Sequence, residues 1–140
     1  MNYLQATQEI TVAIPEICDD LKKTTIQNSY HIIEFLTNKI KTMIQQNNTS
    51  CLFKCLRKMD DLYKDGDKMV KNAIENSFIY SLDSCTAFCT KEYRDLIFNR
   101  LSPELQHVYA RQIYSHNIWS YYIFSLFHYK KQKKPIIIID

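Results

Sequence analysis

Residues 51–82, CLFKCLRKMDDLYKDGDKMVKNAIENSFIYSL, contain the one glycine of a 140-residue chain and decide how the rest is read. Before Gly66, Leu52, Phe53, Leu56, Met59 and Tyr63 recur at three- and four-residue steps, so they share one helical face. After it, Val70, Ala73, Ile74, Ser77, Phe78, Ser81 and Leu82 do the same. Asp65-Gly66-Asp67 between them reads as a turn. Gly66 suits the left-handed backbone that ends many helices, because it has no Cβ to clash. Asp67 can accept from the free N–H groups that open the next helix. Two amphipathic helices on so short a turn run antiparallel with their apolar faces together. One hairpin cannot bury both faces, so the flanking segments must cover it.

Working towards the N-terminus, Ile26, Tyr30, Ile33, Leu36, Ile40 and Ile44 keep a period near 3.6, with Ile32 and Met43 widening the stripe. They predict a helix over 26–46. Tyr3, Ala6, Ile10 and Ala13 predict a short first helix, which Pro15 interrupts before Ile17 and Leu21 continue the apolar side. Towards the C-terminus, Thr90 caps a helix carrying Tyr93, Leu96, Ile97 and Leu101. Ser102-Pro103-Glu104 is a further start signal: a hydroxyl cap, a proline in the first turn and an acid near the positive helix end. From Leu105 helical spacing holds to Tyr129.

Five or six helices follow, as an all-α bundle or a short α-solenoid built on antiparallel hairpins, in a single domain over residues 1–140. One glycine and three prolines are too few for a sheet protein with many tight turns. The expected core includes Ile33, Leu36, Ile40, Leu56, Val70, Ile74, Phe78, Leu96, Ile97, Leu105 and Ile113.

The net charge of +3 comes from the end of the chain. Residues 1–129 carry 14 basic and 14 acidic side chains, and the excess is Lys130, Lys131, Lys133 and Lys134 against Asp140. A nucleic-acid binder usually shows a basic face within the fold, so no nucleic-acid partner is expected. MNYLQATQEI lacks the basic start and apolar run of a signal peptide, and no apolar stretch reaches the ~20 residues of a membrane span. These features place the chain in the cytoplasm, with Cys18, Cys51, Cys55, Cys85 and Cys89 reduced.

The sharpest chemical pattern is a doubled CxxxC, Cys51 with Cys55 and Cys85 with Cys89. Residues four apart on a helix lie on one face, so four thiols from two helices form a candidate zinc site. Measured along straight hairpin helices at ~1.5 Å per residue, however, Cys55 and Cys89 differ in height by about 18 Å. The other reading makes the cysteines small buried apolar residues, and it is preferred. His31, His107, His116 and His128 are scattered, and His31 with Glu34 reads as a surface pair. With no phosphate-cradling loop and no assembled catalytic set, no catalytic residue and no cofactor is assigned. The charged run from Lys54 to Lys68 reads as a solvated helix surface or, functionally, as a docking edge.

GDKMVKNAIENSFIYSL after an apolar helix, together with Ile14-Pro15-Glu16 and Leu101-Ser102-Pro103-Glu104-Leu105, resembles small helical bacterial proteins in a domain family of unknown function. Some of those relatives resemble the immunity proteins of toxin systems. The resemblance runs from Ile14 to Ile113 and implies an all-helical fold without established catalytic residues. The functional expectation is therefore a non-enzymatic protein-interaction module, immunity-like in its narrower form. A small metal-binding or cysteine-dependent protein using Cys51, Cys55, Cys85 and Cys89 is the alternative.

Residues 118–129, IWSYYIFSLFHY, are apolar almost all round. Such a helix needs a cover, since soluble proteins avoid large exposed apolar patches. A homodimer through this stretch is expected, with Trp119, Tyr122, Ile123 and Phe127 as its interaction residues.

Overall fold

The computed structural model describes residues 1–116. It divides into two compact units, Met1–Leu101 and a second that begins at Ser102. Among the described residues there are helices and no strand, as the sequence predicts.

In the first unit, α1 (Tyr3–Ala13) opens under an Asn2 cap, a capping box closed by Gln5. A 3₁₀ turn (Pro15–Ile17) leads into α2 (Cys18–Lys22). Pro15 thus splits the N-terminal segment into two helices, one reason the helical runs exceed the expected five or six. α3 (Ser29–Gln45) starts on Asn28, whose side chain accepts from His31 N. α4 (Thr49–Asp65) starts on Asn48, which accepts from Cys51 N. Then α5 (Lys68–Ala73), a π turn (Ile74–Ile79) and α6 (Tyr80–Cys85) follow one another without a break. α7 (Lys91–Asn99) begins on Thr90, which accepts from Tyr93 N.

The core sits where α3 packs against α4, α5 and the π turn. α3 contributes Ile32, Ile33, Leu36, Ile40, Met43 and Ile44, all buried. α4 contributes Leu52, Leu56, Met59 and Leu62, and also Cys51 and Cys55. Its buried face is turned slightly from the predicted one: Phe53 and Tyr63 are only half-buried, at its edges. Ala6 and Ile10 of α1 are fully buried.

The π turn explains a second shift. Widening the helix by one residue brings Ile79 beside Phe78 on the core side, both buried. Ser77 and Ser81, predicted on that face, become half-buried. Ser81 Oγ donates to Ser77 O at 2.6 Å instead.

Three further corrections follow. Gly66 has φ −72° and ψ 158°, so it is extended and not left-handed. The glycine is required by space: a Cβ there would stand 2.5 Å from Leu62 O and 2.6 Å from Val70 Cγ1. Asp67 does cap α5, accepting from Val70 N at 2.9 Å, while its own N–H donates to Met1 O at 2.7 Å. Leu96, expected in the core, is 40% exposed, because α7 turns Ile97 inward instead. Tyr30, at the start of α3, is also exposed.

The second unit is described through α8 (Pro103–His116). Ser102 Oγ accepts from Leu105 N at 3.2 Å, as its cap position predicts. Leu105 and Val108 are buried and Ile113 is half-buried, so the expected burial of Ile113 is only partial. Residues 117–140 lie outside the described part, among them Trp119, Tyr122, Ile123 and Phe127. Among the described residues no helix is long and apolar enough to cross a membrane.

Candidate functional site

The cysteines fall into separate places. Cys51 and Cys55 lie on the buried side of α4, one turn apart. Cys55 Sγ is 3.6 Å from Met43 Sδ on α3. Cys85 is buried at the last residue of α6, and Cys89 is half-buried beyond it. Among the described residues, no three or more His, Cys, Asp and Glu side chains converge on a point that could hold a metal ion. The four thiols are therefore not one tetrad. Burial, with the neighbouring Cys51 thiol, pushes Cys55 up to about 12. Burial also raises Cys51, Cys85 and Cys89, so in the closed fold these thiols are poor nucleophiles.

The charged run of α4 is neither bare nor merely solvated. Lys54 Nζ is 2.8 Å from Glu16, beside the Pro15 turn. Lys58 Nζ is 3.2 Å from Glu9 of α1 and 3.6 Å from Asp61 on its own helix. Lys39 of α3 pairs with Asp20 of α2. Three inter-helix ion pairs thus run along the N-terminal segment and hold it to α4 and α3. The hydrogen bond from Lys54 keeps Glu16 below its ordinary 4.5, and that from Lys39 keeps Asp20 below its ordinary 3.8. A carboxyl depressed in the folded state adds stability above its unfolded pKa and loses it as pH falls through the folded value. The melting midpoint is therefore expected to decline as pH drops below about 4.5, and to decline less in a Glu16→Gln, Asp20→Asn variant. Both carboxylates are open to solvent, so the difference is small and shrinks further in salt. Identical pH profiles for the two chains would show that the pairs carry no stability.

Tyr63 OH and Glu75 Oε2, 2.5 Å apart, join α4 to the π turn, and Lys71 Nζ lies 5.9 Å from the Tyr63 ring centre. The Arg100 guanidinium stacks 3.8 Å from the ring centre of Phe53. His31 Nδ1 accepts from Gln27 N at 3.1 Å, which gives this ring a structural task in place of the expected pairing with Glu34.

A candidate surface for work outside the fold lies on α1. Leu4, Gln8 and Val12 follow one another at four-residue steps along the outer side of α1. Leu4 is 59% and Val12 80% exposed. Beside them runs a shallow trough lined by Gln8, Glu9, Val12, Ala13 and Lys58. It continues along α1 past Gln5 to Met1. Its floor is apolar near Val12 and Ala13, and Glu9 and Lys58 already satisfy each other at its edge. Ala13, expected on the inner stripe, is exposed. The sequence signal for Leu4 and Val12 is that both are apolar at positions off the buried face.

The interaction residues predicted within 118–129 lie outside the described residues. A family model described as "Domain of unknown function (DUF7674)" matches residues 7–115. No curated protein and no solved structure matches the chain.

Proposed function

The chain belongs to that domain family of unknown function, and from this premise we propose that it is a non-enzymatic protein-binding module of the cytoplasm. The observation that carries the reading is the outer face of α1, where Leu4 and Val12 stand exposed beside an apolar trough. A partner helix or loop laid along it would cover both side chains, and Gln5 and Gln8 would supply hydrogen bonds at its rim. The buried thiols and the paired lysines support the same reading, because they engage the side chains that chemistry would otherwise use. The narrower form is an immunity-like inhibitor, whose partner is a toxin; a toxin gene beside this chain's own would favour it. The stretch 118–129 supplies a second contact in this reading, with another copy of the chain.

The test is the mass and metal content of tagged protein purified without chelator from the cells it comes from. Light scattering is expected to give a complex heavier than the 16.7 kDa chain, with another protein in stoichiometric amount. One equivalent of zinc that disappears on Cys51→Ser or Cys85→Ser would overturn the proposal in favour of a four-cysteine metal protein. For the self-contact alone, a monomer at high micromolar concentration would exclude the homodimer.

A further inference from the structure

Three buried sulfur-bearing side chains lie on α3 and α4. Cys55 Sγ lies 3.6 Å from Met43 Sδ, and Cys51 stands one helical turn back on the same buried face of α4. All three side chains are buried. We propose that Met43, Cys51 and Cys55 form a binding site for a soft monovalent metal ion, of which copper(I) is the biological example.

The donor set selects the ion. Thiolate and thioether sulfur favour copper(I), whereas zinc seeks four ligands, commonly including imidazole or further thiolates. No third His, Cys, Asp or Glu among the described residues converges on this pair. The spacing fits as well: three sulfurs each about 2.3 Å from a central ion stand about 4 Å apart. The observed Cys55–Met43 sulfur contact of 3.6 Å is close to that separation.

The pair cannot satisfy itself by oxidation while α4 stays helical. Cβ atoms four residues apart on a helix are about 5–6 Å apart, and a disulfide needs about 3.5–4.5 Å. On metal uptake the two thiols release two protons to solvent. Two metal–thiolate bonds form, and the Met43 thioether donates a lone pair without losing a proton. Two thiolates and one monovalent cation leave a single negative charge. Cys51 lies in the first turn of α4, at the positive end of the helix, where Asn48 accepts from its N–H. In the metal-free chain the same sulfurs pack as ordinary core.

The experiment titrates the reduced chain, without oxygen, with copper(I) held by bicinchoninate. The wild-type chain is expected to withdraw one equivalent and to develop sulfur-to-copper charge-transfer absorption in the near ultraviolet. The Cys51→Ala, Cys55→Ala double variant is expected to withdraw none. Met43→Leu keeps the core volume, so its melt should stay close to wild type while its copper affinity falls at least tenfold. Cys85→Ala, Cys89→Ala is expected to bind as wild type does. No withdrawal by the wild-type chain, or equal withdrawal by the Cys51, Cys55 double variant, overturns the site. An unchanged affinity in Met43→Leu overturns the three-sulfur arrangement. These results leave untouched the outer face of α1, the observation that carries the protein-binding reading.

Discussion

Phe78→Ala is expected to cost about 3–5 kcal/mol of stability, the range for emptying a buried aromatic site. Phe78 is fully buried and heads the largest such side chains. It sits in the π turn, on the wall that packs against α3. Its loss leaves a space the neighbouring elements cannot easily close, because Ile33, Leu36, Ile40 and Ile74 are themselves fully buried. Domains of this kind are stable by about 5–15 kcal/mol, so the variant loses a large share of the total. Its melting midpoint should fall by about 10–20 °C. Phe88→Ala supplies the internal comparison: Phe88 is wholly exposed beyond α6, and its removal should change stability by no more than about 0.5 kcal/mol. Similar melts for the two alanine variants would mean that the π turn does not carry the core.

Gly66→Val is expected to destabilise by about 1–3 kcal/mol or more, as overpacking does. At φ −72° an added side chain would ordinarily stabilise slightly, by about 0.4–1 kcal/mol, through the unfolded chain. Here it meets Leu62 O at 2.5 Å and Val70 Cβ at 2.8 Å. Neither can move cheaply. Leu62 O accepts from Gly66 N at 2.8 Å, and Val70 is a fully buried residue whose N–H is held by the Asp67 cap. Even Gly66→Ala should therefore lower the melting midpoint. A midpoint raised by alanine would show that the α4–α5 turn relaxes freely.

These two residues also mark how far the sequence could be read. Alternating three- and four-residue steps found the hairpin, and Asp67, Thr90 and Ser102 were legible as caps because their oxygens act on N–H groups two or three residues ahead. Gly66 was legible as a turn but not as a contact, since its neighbours Leu62 O and Val70 Cγ1 are known only once the turn is built. The π turn was hidden because it breaks the period that reveals helices, exchanging Ser77 and Ser81 for Ile79 on the core side. The pairings Lys54–Glu16, Lys58–Glu9 and Lys39–Asp20 span 19 to 49 residues, so no local pattern announces them. Cys51 and Cys55 stand out by their spacing, while Met43, 12 residues before Cys55, reads only as part of an apolar stripe. The exposure of Leu4 and Val12 depends on which side of α1 the core covers, and Ala6 and Ile10 settle that in favour of the opposite face.

The claim that α1 presents the working surface is tested most directly by a Leu4→Glu, Val12→Glu variant of the tagged chain. Its complex mass is measured by light scattering and its melt by circular dichroism. Two exposed positions carry little of the fold, so the melt should stay within a few degrees of wild type. The partner protein is expected to be lost at that unchanged stability. Full retention of the partner by the folded variant would contradict it.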